Sequence, residues 1–257
     1  MKVAVIGAGA MGGAIAKGVL RGNVIPARDL IVSNPSQGKL EHFAHNGAVT
    51  TTDNRKAVAE ADWVILAVKP WLVEKVLADV RDLFTPGQIL VSVAAGVSSD
   101  NLVEWSGGVP SVFTAIPNIA IEELASMTFI QPIQASKEQV QAVSDFFGSM
   151  GKVLICDEKH LSAGMALASC GIAYAFRYIR AASEGGVELG FKAHESQNIV
   201  MQTLLGAVKL LEATGKHPEE AIDQVTTPGG ITIKGLNAME QSGFTNAVIQ
   251  GLKASVK

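Results

Sequence analysis

Cysteine is scarce in this chain, with only Cys156 and Cys170. Two thiols are too few for a disulfide scaffold, and their spacing is not that of a metal site. The apolar run after Lys2 is broken by glycines and has no cleavage-like ending, so no secretion signal is expected and a reducing cytoplasm is the expected setting. No uninterrupted apolar run reaches membrane-spanning length, which excludes a helical membrane anchor from the reading. Charge is sparse and balanced: Lys and Arg total 21 against 24 Asp and Glu, a net −3. That balance offers no general attraction to nucleic acid or to an anionic membrane, so the expected partner is small. The 5 histidines, His42, His45, His160, His194 and His217, form no H-E-x-x-H or paired arrangement. His42 and His45 lie three apart on a predicted helix and read as solvated surface, so no metal site is expected. What remains is 257 residues, enough for one large or two medium domains with a real core.

The most informative stretch comes first. Val3 to Ile6 is a short apolar run rich in β-branched residues, and Gly7, Gly9 and Gly12 follow at the G-x-G-x-x-G spacing. Helical apolar spacing begins directly after, from Ala14 to Leu20. A strand, a glycine turn and a helix N-terminus together seat a pyrophosphate, because free N–H groups and the positive end of the helix dipole point at it. A side chain at Gly9 would occupy the phosphate's space. Glycine-rich turns also close ordinary strand-to-helix connections, and the strand before and helix after are the context that favours the dinucleotide.

A second predicted strand, Asp29 to Asn34, ends without the carboxylate that accepts from a free ribose 2′-hydroxyl. Ser33, Asn34, Ser36 and Lys39 stand there instead, which favours NADP, and NADPH over NADH as donor. The pattern continues with a helix around Gln37 to His45, a short strand at Ala48 to Thr50 and a helix over Arg55 to Glu60 with Asp53 as N-cap. Trp63 to Val68 is a continuous apolar run, as expected of a parallel strand buried on both faces, and ends at Lys69-Pro70. Gln88 to Val93 repeats it and ends in Ala94-Ala95-Gly96, small enough for a cofactor to lie close. Ser111 to Ile116 ends in Pro117-Asn118. Strand-like Ser126 to Gln131 and Lys152 to Ile155 flank a helix from Lys137 to Phe147. Repeated βα units predict a doubly wound, Rossmann-like α/β domain over residues 1–156.

Residues 157–257 read as helical throughout. Leu161, Met165, Ala168, Ile172, Phe176 and Ile179 keep helical spacing among many small residues, too apolar for a solvated helix and too broken by Arg177, Arg180 and Glu184 for a membrane span. Either a partner subunit or an internal bundle core could cover that face. Another helix covers Ala193 to Ala213. Thr226-Thr227-Pro228-Gly229-Gly230 then forms a loop, and helical spacing resumes at Ile231. A glycine loop opening a helix holds a small anion such as a carboxylate, through N–H groups near Gly230 to Thr232 and the Thr232 hydroxyl. A plain inter-helix cap would use the same residues.

Taken together, Gly7-Ala8-Gly9-Ala10-Met11-Gly12, Ala67-Val68-Lys69-Pro70, Ile116-Pro117-Asn118 and Val225 to Ile233 resemble pyrroline-5-carboxylate reductase nearly end to end. The Pro-Gly-Gly-x-Thr stretch is the specific part. The resemblance implies NAD(P)H-dependent reduction of 1-pyrroline-5-carboxylate to L-proline, the last step of proline biosynthesis. It also implies an interlocked helical homodimer able to assemble into a decamer as a pentamer of dimers. By position it puts Ala10 and Met11 at the cofactor pyrophosphate and Asn54 at the adenosine end. Ala67, Lys69 and Pro70 fall on the nicotinamide side, and Val68 and Ala95, at the same strand ends, are expected to contact the cofactor as well. Gly230, Ile231 and Thr232 fall at the substrate carboxylate; Asn118 and Gly229 are expected to join them in binding the substrate, and Thr232 is the expected catalytic residue. Pro35, Thr114, Ile119, Ser169 to Ile172 and Ile231 depart from the usual pattern. A β-hydroxyacid dehydrogenase-like enzyme or other imine reductase, and an NADP-sensing regulatory dimer without turnover, are the alternatives. Alcohol chemistry would want a lysine within the long helix, and from Glu158 to Phe191 only Lys159, at its start, is present.

Overall fold

The computed structural model describes residues 1–256. The chain divides into two compact units, Met1–Ser169 and Cys170–Lys257. The first is built on an eight-stranded sheet of order β3-β2-β1-β4-β5-β6-β7-β8. Its elements are β1 (Val3–Ile6), α1 (Ala10–Arg21), β2 (Leu30–Ser33), α2 (Glu41–His45), β3 (Val49–Thr51), α3 (Asn54–Glu60), β4 (Trp63–Leu66), α4 (Val73–Val80), β5 (Ile89–Ser92), α5 (Ser99–Trp105), β6 (Ser111–Ile116), β7 (Ser126–Gln134), α6 (Lys137–Gly148), β8 (Gly151–Ile155) and α7 (Glu158–Gly164). Every residue of β1, β2, β4 and β5 is buried, which is why these strands read as unbroken apolar runs. One apolar cluster around Val3, Val5, Ile15, Phe113 and Phe147 covers one face of the sheet, and a second around Ala4, Ile6, Val64, Leu77 and Leu90 covers the other.

The strand order reverses beside β1, between β2 on one side and β4 on the other. At such a switch point the connections leave in opposite directions and open a crevice beyond the strand ends, where ligands bind. The predicted helix over Gln37 to His45 is divided: a 3₁₀ turn spans Gln37–Lys39 and α2 begins at Glu41. Gly38, a poor helix former, lies in the turn. Asp53 caps α3 as expected, its carboxylate accepting from the N–H groups of Arg55 and Lys56.

The first unit runs past the expected boundary at Cys156, to Ser169. The registers give the reason. β7 is antiparallel to β6, and β8 runs parallel to β7 from Ser126↔Gly151 to Ile130↔Ile155. The helical segment after β8 travels back along the same strand. The Cys156 N–H donates to the Ile130 carbonyl at 2.9 Å. A Cβ on Gly164 would lie 2.6 Å from the Phe129 ring, and the Asn118 Nδ2 reaches the Ala168 carbonyl at 3.3 Å. From Glu158 to Ala168 a helix rises about 15 Å, close to the length of the strand segment it retraces. Residues Met165–Cys170 form a widened π-type turn in place of an unbroken α-helix.

The second unit contains α8 (Gly171–Glu188), α9 (Ala193–Thr214), α10 (Pro218–Gln224), α11 (Ile231–Gln241) and α12 (Phe244–Ala254). α8 and α9 approach closely at small residues: a Cβ on Gly186 would overlap the Ser196 Oγ, which donates to the Ser183 carbonyl at 2.8 Å. Among its described residues Ser196 alone is buried, while Phe176, Leu189, Phe191, Leu210 and Ile231 are all exposed. An internal bundle core is therefore not what covers the apolar helix faces. No helix among the described residues is long and apolar enough to cross a membrane.

At Gly12 a Cβ would overlap the Gly7 carbonyl oxygen and sit 2.8 Å from the Ala67 methyl. Gly12→Ala is expected to destabilise the first unit by about 1–3 kcal/mol through overpacking, read as a lower denaturant midpoint at unchanged slope. A wild-type midpoint would show that the turn and α1 can part at no cost.

Candidate active site

The dinucleotide loop is held by backbone geometry. Gly7 has φ +104°, a conformation that favours glycine, and its N–H donates to the Ser33 carbonyl at 2.7 Å. A Cβ there would be 2.7 Å from the Ala67 carbonyl oxygen and 3.2 Å from Val68 Cγ1. Ala67 and Val68, just past β4, therefore wall the turn. Gly9 is the contrast: a Cβ built on it meets nothing of the protein within 4 Å. The space over Gly9 is open and the space under Gly7 and Gly12 is full. No side chain caps α1, and its first turn carries no carboxylate, so the N-terminal N–H groups at Ala10 and Met11 have no side-chain acceptor competing for them. This cradle fits the diphosphate of a dinucleotide.

Around the end of β2 lie Ser33, Asn34, Ser36 and Asn54. Ser33 is fully buried and donates through Oγ to Asn54 Oδ1 at 2.7 Å. Asn34, also buried, accepts the Ala8 N–H on Oδ1 at 3.1 Å and donates through Nδ2 to the Ser36 carbonyl at 3.2 Å. Ser33 and Asn34 are therefore struts beneath the loop, and the side chain of Ser36 remains exposed. Beside them an open cleft of about 370 Å³ runs along Gly9, Ala10 and Gly13 to Lys39 and His42. Lys69 and Pro70 are exposed past β4, with Lys69 Nζ 6.0 Å from the Trp71 ring centre. Trp71, 75 % exposed, is an aromatic at this edge that the sequence reading left out. Ala95 is exposed beside Gly96, whose φ is +80°.

Asn118 departs from expectation. It is 5 % exposed, its Oδ1 accepts the Ala120 N–H at 3.0 Å and its Nδ2 donates to the Ala168 carbonyl. The amide bonds the protein through both its oxygen and its nitrogen, so the side chain acts as a strut between these segments. Burial, with Asp157 beside it, pushes the Cys156 thiol pKa up.

In the second unit, Thr227 to Gly230 close a tight turn. The Gly230 N–H donates to the Thr227 carbonyl at 2.9 Å, and Gly229 has φ +71° after Pro228, the pairing a type II turn demands. α11 starts directly after it, with no side-chain cap and no carboxylate in its first turn. Ile231, 87 % exposed, and Thr232 stand at the surface of that turn. Both glycine turns thus open onto an uncapped helix N-terminus, each in its own unit.

Comparison with known proteins matches residues 158–257 to a family model described as pyrroline-5-carboxylate reductase dimerisation, and residues 2–96 to one described as NADP oxidoreductase, coenzyme F420-dependent. A pyrroline-5-carboxylate reductase of Glycine max is 36% identical over 258 residues, covering 98% of this chain and 92% of that one. The chain belongs to the pyrroline-5-carboxylate reductase family. Another relative, pyrroline-5-carboxylate reductase 1 of Dictyostelium discoideum, is 34% identical over 98% of this chain, which spans 48% of that protein's length. The crystal structure of Plasmodium falciparum pyrroline carboxylate reductase with NADP bound superposes with a TM-score of 0.90 at 25% identity, covering 99% of this chain and 95% of that one. The family's two-part plan, a Rossmann-like domain followed by a helical dimerisation domain, is the architecture seen here. Members are NAD(P)-dependent oxidoreductases.

The open space over Gly9 separates cofactor binding from folding. Gly9→Ala is expected to leave the denaturant midpoint unchanged and to weaken NADPH binding by on the order of tenfold, the cost of displacing one amide-to-phosphate contact. Fluorescence titration with NADPH measures it, and undiminished affinity would place the diphosphate elsewhere.

Proposed function

We propose that this chain reduces 1-pyrroline-5-carboxylate to L-proline with NADPH, acting as a homodimer built through its helical unit. The observation that carries the reading is the pair of uncapped helix N-termini, α1 after Gly7 to Gly9 and α11 after Gly229-Gly230, each free of first-turn carboxylates. An enzyme that joins a dinucleotide to a small amino acid precursor needs two anion seats, one for diphosphate and one for carboxylate. Family membership supports the same assignment of substrate.

The cradle at Gly7, Gly9, Ala10, Met11 and Gly12 takes the diphosphate. Ser36 and Asn54 lie at the adenosine end, and Ala67, Val68, Lys69, Pro70 and Ala95 at the nicotinamide. When bound, the dihydronicotinamide supplies the hydride. The chain's own task is placement, because the imine nitrogen of the substrate protonates readily and the resulting iminium accepts hydride without a strong acid from the protein. One hydride and one proton turn the imine into the amine. Gly229 and Ile231 hold the carboxylate by backbone N–H groups, while the Gly230 N–H closes the turn onto the Thr227 carbonyl, and the Thr232 hydroxyl donates to the same anion or steadies the nitrogen. The absence of a carboxylate at the end of β2 supports NADPH over NADH. The exposed apolar faces of α8 and α9, with an open groove of about 560 Å³ lined by Phe176, Ile179, Val187 and Met201, support the homodimer. The free thiols Cys156 and Cys170 support a cytoplasmic setting.

Oxidation of NADPH and of NADH, each with 1-pyrroline-5-carboxylate, tests the assignment directly, with NADPH expected to give the higher kcat/KM. Lack of turnover with either donor would remove the activity. Thr232→Ala is expected to raise KM and lower kcat/KM by about tenfold, the loss of one charge-assisted hydrogen bond. Unaltered kinetics would take Thr232 out of the site. Sedimentation of the purified chain is expected to give at least a dimer, and a monomer at micromolar concentration would overturn the proposed assembly.

A further inference from the structure

Asn118 lies where three segments of the first unit meet. Its backbone N–H donates to Ser126 Oγ at 3.1 Å, at the head of β7. Its Oδ1 caps the 3₁₀ turn Ile119–Glu123 through the Ala120 N–H. Its Nδ2 holds the Ala168 carbonyl in the widened turn Met165–Cys170. A second tie runs alongside, from Ser169 Oγ to the Pro117 carbonyl at 3.3 Å. π-type turns are rare, occur mostly as single turns within α-helices and are frequent at functional sites. Here two side-chain bonds hold one in place.

The far side of this junction is the dinucleotide helix. Residues Ile119–Glu123 lie so close to α1 that a Cβ on Gly18 would overlap the Ile121 carbonyl. Two ion pairs, Lys17–Glu122 at 3.1 Å and Arg21–Glu123, fasten the same surfaces. One continuous set of contacts therefore joins α1, the 119–123 turn, Asn118 and the widened turn.

The geometry points to Asn118 as a positioning residue: together with Ser169 it clamps the widened turn 165–170 to the loop after β6, and so fixes the height of that turn relative to the α1 seat. The role rests on the proposed reductase function only for its effect on turnover. The bonds of Asn118 run to Ser126, Ala120 and Ala168, so on this reading its loss is expected in kcat and not in binding.

Asn118→Asp separates the two duties of the amide. It keeps the acceptor for the Ala120 N–H and replaces the donor with a carboxylate oxygen facing the Ala168 carbonyl. Ser169→Ala removes only the second tie. The full-length variants and their double are compared by amide hydrogen exchange over 165–170, by NADPH titration, and by kcat and KM for 1-pyrroline-5-carboxylate. For each single variant exchange over 165–170 is expected to quicken and kcat to fall by about five- to tenfold, the equivalent of one neutral hydrogen bond. KM and NADPH affinity are expected to stay within about twofold, and the double variant to lose less than the product of the singles, as two ties of one clamp should. A raised KM with unchanged exchange would make Asn118 a substrate contact and overturn the proposal. Unchanged exchange and kcat would overturn it too. Should Asn118→Asp fail to fold, Ser169→Ala is judged on the same readouts. If the wild-type chain does not turn over the pyrroline, the reductase reading fails and hydrogen exchange still decides the clamp.

Discussion

The first unit depends on a place where backbone lies directly on backbone. Gly12 rides against the carbonyl of Gly7 and the methyl of Ala67, which brings α1 down onto the turn after β1 and the end of β4 at once. Any side chain at Gly12 would lift the helix. The helix N-terminus would then no longer face the crevice at the strand-order switch point, and the orphan N–H groups that make an anion seat would be misdirected. The struts around the loop serve this approach. Asn34 ties Ala8 from below, and the Ser33 carbonyl takes the Gly7 N–H. Open space at Gly9 is what a ligand can use, and crowding at Gly7 and Gly12 is what keeps that space in place.

Much of the fold was legible because its causes are local. Val3 to Ile6 and Trp63 to Leu66 are buried on both faces of a parallel sheet, so burial itself writes an apolar run. Asp53 announced α3, since a carboxylate two and three residues before unpaired N–H groups is a cap wherever it occurs. Both glycine loops were legible for a related reason: their chemistry belongs to the backbone, and glycine is the only way to expose it.

What was not legible depends on residues far apart in the chain. The break in the helix at Gln37–Lys39 and the widened turn at Met165–Cys170 answer to packing as well as to propensity. The polar residues show the same limit. Ser33, Asn34 and Asn118 all stand at strand ends facing the crevice, where an amide or hydroxyl reads as a ligand. Whether such a group meets a ligand or the protein turns on partners such as Asn54, Ala8 and Ala168, which no spacing rule reveals. Family likeness carries a position across without saying what the side chain there is touching.

The helical unit presents the opposite case. α8, α9, α11 and α12 are well formed, and α8 and α9 pair at Gly186 and Ser196, yet Ser196 alone among the described residues of the unit is buried. Apolar burial is the main favourable term in folding, and a unit that withholds it must draw its stability from whatever comes to lie on those faces. Its melting point is then not a constant of the sequence. In the proposed homodimer dilution acts on it as a denaturant does, and the two halves of one chain obey different laws, one set by temperature and solvent, the other also by how many copies share the volume.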